Sequence, residues 1–141
     1  MRVLGFDYGT RWIGVAAGQT VTATASPLCT IPVRHSKPDW PSLNALIQDW
    51  EPDALVVGLP VNTDGTEHEL APAVMRFVRQ LRSRYGLPVY TIDERLSSCE
   101  AQTRLVGAQR GIGVDAVAAQ VILETWFSIL PDQQKRVRSD P

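Results

Sequence analysis

Lysine is almost missing from this chain of 141 residues: Lys37 and Lys135 stand against twelve arginines. Cysteine is as scarce. Cys29 and Cys99 form no CxxC pair and have no histidine cluster near them, which excludes a zinc ribbon or redox dithiol and leaves two reduced, small apolar side chains. His35 and His68 are equally isolated, so Glu67-His68-Glu69 reads as a solvated loop rather than a metal site. No apolar run approaches the roughly 18 residues of a membrane span. The start MRVLGFDYG enters a strand-like pattern without a signal-peptide apolar region, so a cytoplasmic protein with no membrane partner is expected. Excess charge is missing too: fourteen basic against fifteen acidic residues give a net charge of -1, which argues against a bulk polyelectrolyte binder.

What is present is an ordinary globular composition, 44% hydrophobic and 21% charged. The length suits a single compact domain, expected over residues 1–131, with a polar and disordered tail over 132–141. The arginine bias keeps an anionic partner in view, because the guanidinium fork grips phosphate or carboxylate through two hydrogen bonds.

Along the chain, Val3, Leu4 and Phe6, then Ile13, Val15 and Ala17, then Val21 and Ala23, separated by turn residues, read as a three-stranded meander. Prolines 27, 32, 38 and 41 make the next stretch a connector. Leu43, Leu46, Ile47 and Trp50 recur at helical spacing, and the unbroken run 54–59 reads as a strand covered on both faces. Val74, Phe77, Val78, Leu81 and Tyr85 mark an amphipathic helix ending at Gly86. Its arginines, 76, 79, 82 and 84, lie on the far face and flanks, where a solvated surface is expected rather than a phosphate-gripping stripe. A short strand follows over 89–93, then a helix opened by a Ser97-x-x-Glu100 capping box, a glycine-rich loop over 107–113, and a last helix from about Asp115. The order βββαβαβαα predicts a three-layer α/β fold with a five-stranded mixed sheet flanked by helices.

Three acids end elements at one expected edge of that sheet: Asp7 after the first strand, Glu94 beside Asp93 after the last, and Asp115 at the opening of the final helix. Each has a plain structural explanation alone, as a turn residue, a surface salt-bridge member and an N-cap. Together they fall where ligand crevices of open α/β sheets form. Carboxylates gathered there raise one another's pKa, and a hard divalent ion, Mg²⁺ or Mn²⁺, relieves the repulsion.

At these residues the sequence resembles the YqgF/RuvX family of pre-16S rRNA nucleases and Holliday-junction-resolvase-like proteins. The resemblance runs from Val3 to about Leu130 through GFDYGTRWIGVAAG (5–18), PDW (38–40), WEPDALVVGLPVNTDGTE (50–67), TIDERLSS (91–98) and VDAVAAQVILETW (114–126). It implies a ribonuclease-H-like fold, divalent-metal nuclease activity on structured RNA or four-way DNA, and a bacterial cytoplasmic setting. The family's acidic positions carry over onto Asp7, Glu94 and Asp115 as catalytic residues and metal ligands. Asp93 is the weaker candidate, since neighbours on a strand point to opposite faces. The family usually has two basic residues after the DxGT turn and a more basic loop before the third Asp. Here only Arg11 and Arg110 remain basic, and Trp12 is expected to pack internally rather than offer a stacking face to a base.

The implied chemistry is two-metal hydrolysis of a phosphodiester, with Asp7 holding both ions and Glu94 and Asp115 one each. Asn62 and Thr63 are expected to donate hydrogen bonds to phosphate, and Arg11, Arg95 and Arg110 to neutralise it, although Arg95 can equally pair with Asp93. The expected partners are pre-16S rRNA, branched DNA, or both, with a homodimer required for symmetric junction cutting. Two other classes fit less well. One is a non-catalytic RNA or junction binder in ribosome assembly. The other is an actin-like phosphate-binding module around Asp7-Tyr8-Gly9-Thr10, for which the chain has no room for a second lobe.

Overall fold

The computed structural model describes residues 1–62, 64–96 and 114–130. The apolar alternation at the start of the chain produces β1 (Arg2–Tyr8), β2 (Trp12–Gln19) and β3 (Thr24–Arg34), an antiparallel meander. β4 (Lys37–Pro38) closes a short hairpin on β3, and α1 (Trp40–Trp50) leads into β5 (Ala54–Leu59). Then come α2 (Ala71–Tyr85), β6 (Val89–Asp93), a 3-10 turn (Glu94–Leu96) and α3 (Val114–Ile129). The sheet order is β4-β3-β2-β1-β5-β6, with β5 parallel to both β1 and β6.

The sheet therefore has six strands rather than five. The extra strand and a displaced third one share a cause. Val21 and Ala23 belong to a turn, where Val21 is 72% exposed and Ala23 adopts φ 53°, and the third strand runs through the proline-rich stretch instead. Prolines are tolerated because β4 covers only the end of β3, leaving an open edge along most of it. Asp39 donates its N–H to the Pro32 carbonyl, so the ladder-bonding side of Pro32 faces away from β2. A bulge opposite Val15 and Ala16 absorbs the register change near Pro27.

Two cores lie on the two faces of the sheet. Leu4, Phe6, Tyr8, Val57 and Phe77 pack under α1 and α2, where the Phe77 ring lies 5.8 Å from Phe6 and 5.1 Å from Tyr8. Val3, Ala16, Val56, Ile122 and Leu123 pack under α3. Burial of β5 from both sides matches its unbroken apolar sequence. α2 ends where Gly86 takes a left-handed φ of 64°, as its sequence predicts. The capping box at 97–100, the glycine-rich loop and the tail over 132–141 lie outside the described residues. Among the described residues, no helix is long and apolar enough to cross a membrane.

Candidate active site

Alternation along β1 decides where Asp7 goes. Leu4, Phe6 and Tyr8 enter the layer of α1 and α2, so Val3, Gly5 and Asp7 turn toward α3. Asp7 stands directly opposite Gly14 in the antiparallel ladder, and the two share that face. Gly14 is where α3 arrives: a Cβ there would overlap the carbonyl oxygen of Asp115, in the first turn of the helix. A bare backbone at this position lets the helix start rest on β2 beside Asp7.

The third acid comes from the other side. β6 ends at the same edge as β1 because both run parallel to β5. Ile92 is buried under α3, and two residues on, Glu94 opens the 3-10 turn. Gly58 of β5 makes room for it, since a Cβ there would lie 2.8 Å from Glu94 Oε1. Glu94 thereby crosses β5 and shares a side-chain hydrogen bond with Asp7. Asp93 takes another direction, accepting from Arg95 Nε at 3.0 Å and from its terminal nitrogen at 2.7 Å. The Arg95 hydrogen bonds hold the Asp93 carboxyl below the usual aspartate range.

Asp7 is displaced the opposite way, well above the ordinary aspartate value of 3.8. Loss of surrounding water contributes most, followed by the hydrogen bond to Glu94 and repulsion from Glu94 and Asp115. Part of the Asp7 surface still meets solvent, so the enclosing sheet and helix, rather than complete burial, remove the water from its carboxyl. Burial raises Asp115 as well. A hydrogen bond between two carboxyls needs a proton shared between them, and the raised pKa of Asp7 favours that pairing.

An all-oxygen, all-acid donor set fits a hard divalent cation, whose charge relieves the repulsion that lifts Asp7. Among the described residues, no three His, Cys, Asp or Glu side chains stand in ready ligand spacing.

The other expected contacts divide. Arg11 is exposed in the turn after β1, while its carbonyl accepts from Val33 N–H at 2.8 Å. Arg95 is engaged by Asp93. Asn62 donates from its side-chain nitrogen to Thr66 Oγ1 at 2.9 Å and to the Glu67 carbonyl at 3.2 Å, so its amide hydrogens stitch their own loop. Thr63 and Arg110 lie outside the described residues. His68 accepts from Leu70 N–H at 3.0 Å, a structural role at the start of α2. Trp12 corrects an expectation: it is 48% exposed rather than packed, because β2 begins there, beyond the part of the strand that α3 covers. The seats at Gly14 and Gly58 were not anticipated either. Their only sequence signal is a glycine inside an apolar strand.

A sequence model of the RuvX family, described as Holliday junction resolvase, matches residues 1–129. The chain belongs to that family. Among its RuvX-family relatives, a protein of Pseudomonas fluorescens (strain Pf0-1) named "Putative pre-16S rRNA nuclease" is 49% identical over 131 residues, 89% of this chain and 90% of that protein. A Nitrosococcus oceani protein of the same name is 49% identical over 130 residues, 89% of this chain and 86% of its own. The fold is that of solved resolvases. The Thermus thermophilus RuvC in complex with Holliday junction substrate superposes with a TM-score of 0.58 at 17% identity, covering 99% of this chain and 97% of that one. The fowlpox virus Holliday junction resolvase gives 0.59 at 10% identity, covering 92% and 100%. The ribonuclease-H-like architecture expected from the sequence is therefore the one observed, and the RuvX-family chain is a phosphodiester-hydrolysing enzyme, a nuclease.

Proposed function

We propose that the protein is a divalent-metal-dependent endonuclease of structured nucleic acid, maturing the 5′ end of pre-16S rRNA in the bacterial cytoplasm, with the same site suited to Holliday junctions. The observation that carries this is the hydrogen-bonded Asp7 and Glu94 pair with Asp115 beside it, at the shared edge of β1, β5 and β6. Asp7, Glu94 and Asp115 would hold Mg²⁺ or Mn²⁺, two ions in the full complement, with Asp7 common to both. Bound there, the ions supply an activated water and stabilise charge on the leaving 3′ oxygen.

The chain's own residues do the rest. Asp7, hydrogen-bonded to Glu94, would be the central carboxylate. Gly14 and Gly58 keep Asp115 and Glu94 within reach of it. Arg11, exposed beside the site, meets the flanking phosphate, and Thr63 and Arg110 are assigned to the same backbone. Asp93 anchors Arg95, and Asn62 holds the shape of its loop, so both act by positioning. No side-chain nucleophile is needed: a water loses a proton to solvent as its oxygen attacks phosphorus, the P–O3′ bond breaks, and its electron pair leaves with O3′, which takes up a proton from solvent.

The test is cleavage of an rRNA-leader stem and a four-way DNA junction, side by side, in Mg²⁺ and in Mn²⁺. A folded Asp7→Asn protein is expected to lose at least about a hundredfold in rate on both, the scale of losing a charge-stabilising group in the transition state. Cleavage by that variant at the wild-type rate sinks the assignment. Paired cuts in the junction require two sites and hence a homodimer, whereas rRNA end processing requires one; sedimentation with each substrate separates the two cases.

A further inference from the structure

On the opposite side of the sheet from the three acids, the basic residues gather. The β3–β4 hairpin places Arg34 directly across from Lys37. Its two-residue turn is His35-Ser36, with φ of 53° and 61°. Such a turn normally takes Asn-Gly, because left-handed backbone is unfavourable for residues with a Cβ. Like charges facing each other across a ladder also repel. The hairpin thus sets two cations side by side on a backbone turn that is unfavourable for residues with a Cβ.

Two cavities flank Lys37, Pro38 and Trp40. One, of about 410 Å³, is also bounded by Arg76 and Arg84 of α2; the other, of about 360 Å³, by Arg34 and Asp39. The Arg84 guanidinium lies 4.0 Å from the centre of the Trp40 ring, which fixes its plane. Asp39, the one carboxylate lining these cavities, accepts from Ser42 Oγ at 2.8 Å. Among the described residues, none of Arg34, Lys37, Arg76 and Arg84 makes an ion pair. In a chain of net charge -1, four cations that form no ion pair among the described residues, facing a single carboxylate around one aromatic wall, are a concentrated positive surface.

We propose that this groove is a second contact for the sugar-phosphate backbone of the nucleic-acid substrate, gripped by Lys37, Arg76 and Arg84. The choice of polyanion rests on the nuclease function proposed above. The charges are spread over a hairpin and a helix, along two adjoining cavities, and do not converge on one point; this suits the repeated phosphates of a polymer better than a single small anion. The groove lies at the same end of the sheet as the acid site: Arg34 follows Val33 near the end of β3, and Val33 N–H bonds the carbonyl of Arg11, in the turn between β1, which carries Asp7, and β2. A branched or folded substrate lying across this end of the sheet would reach the acids on one side and the groove on the other.

The experiment is fluorescence anisotropy of a labelled four-way DNA junction and an rRNA-leader stem over a salt series, in EDTA. Each phosphate contact contributes about 0.9 to the slope of log K against log salt on duplex DNA. The variant Lys37→Gln/Arg76→Gln/Arg84→Gln is expected to bind more than about tenfold more weakly and to flatten the slope by roughly 2 to 3. Arg79→Gln, on the same helix but outside the groove, should leave it unchanged. An unchanged slope in the triple variant overturns the proposal, as does quenching of wild-type tryptophan fluorescence by poly-glutamate but not by the junction. If the triple variant does not fold, Arg76→Gln alone, at an exposed position, should still flatten the slope by about 0.9, and no change there is equally fatal. Because binding is read without metal or cleavage, failure of the Asp7→Asn test would remove the nuclease site and leave this result standing.

Discussion

Asp7 carries the strongest electrostatic demand in the described structure. Its folded pKa is raised, so folding takes up a proton between the ordinary value of 3.8 and the higher folded value. Stability linked to Asp7 is therefore fully present below 3.8 and is lost as pH rises through the folded pKa, by about 1.4 kcal/mol per unit of separation. Asn cannot ionise. In EDTA at neutral pH, Asp7→Asn is expected to melt several degrees above wild type, with the gap closing toward pH 4. Added Mn²⁺ should reverse the order by stabilising wild type selectively. Thermal melts over pH, with and without Mn²⁺, check both signs; a variant less stable than wild type in EDTA would show that Asp7 is not under strain. The tryptophans give a contrast at the same scale. Trp126 is 6% exposed, with ring centres 5.4 Å from Tyr90 and 5.6 Å from Phe127, whereas Trp12 is 48% exposed. Denaturant unfolding should show a loss of about 3–5 kcal/mol for Trp126→Ala and under about 1 kcal/mol for Trp12→Ala.

At the scale of elements, the site depends on how closely α3 can approach the sheet. Gly14 and Gly58 set that approach, one under Asp115 and one beside Glu94. Gly14→Ala forces the start of α3 off β2. A cost of about 1–3 kcal/mol is expected, with cleavage falling more steeply than the folded fraction because Asp115 moves away from Asp7. Circular dichroism and cleavage on the same samples check this; full activity in a folded Gly14→Ala protein would show that Asp115 does not depend on this seat. Periodicity made most elements legible: α2 and its stop at Gly86, the doubly buried β5 and the final helix all follow the sequence pattern. β3 was not legible, because prolines argue locally against a strand and only the open edge beyond β2 explains why they are tolerated.

At the scale of the molecule, whose net charge is -1, two charged clusters among the described residues lie on different faces of the sheet. The acids meet beneath α3, and Arg34, Lys37, Arg76 and Arg84 meet on the side of α1 and α2. Helical phase alone assigned the α2 arginines to solvent, and Arg76, Arg79, Arg82 and Arg84 are all exposed. It could not show that Arg76 and Arg84 face a hairpin bearing Lys37, because the hairpin lies some forty residues away along the chain and meets the helix only through tertiary packing. The sequence by itself determined the order of elements, the two-sided burial of the central strand and the acids at strand ends, since these follow from local periodicity and residue type. Only the tertiary structure decided that Gly14 and Gly58 seat Asp115 and Glu94 beside Asp7, and that Trp12 stays outside. Those outcomes depend on which backbones approach closely enough to exclude water, a distance that no local pattern encodes.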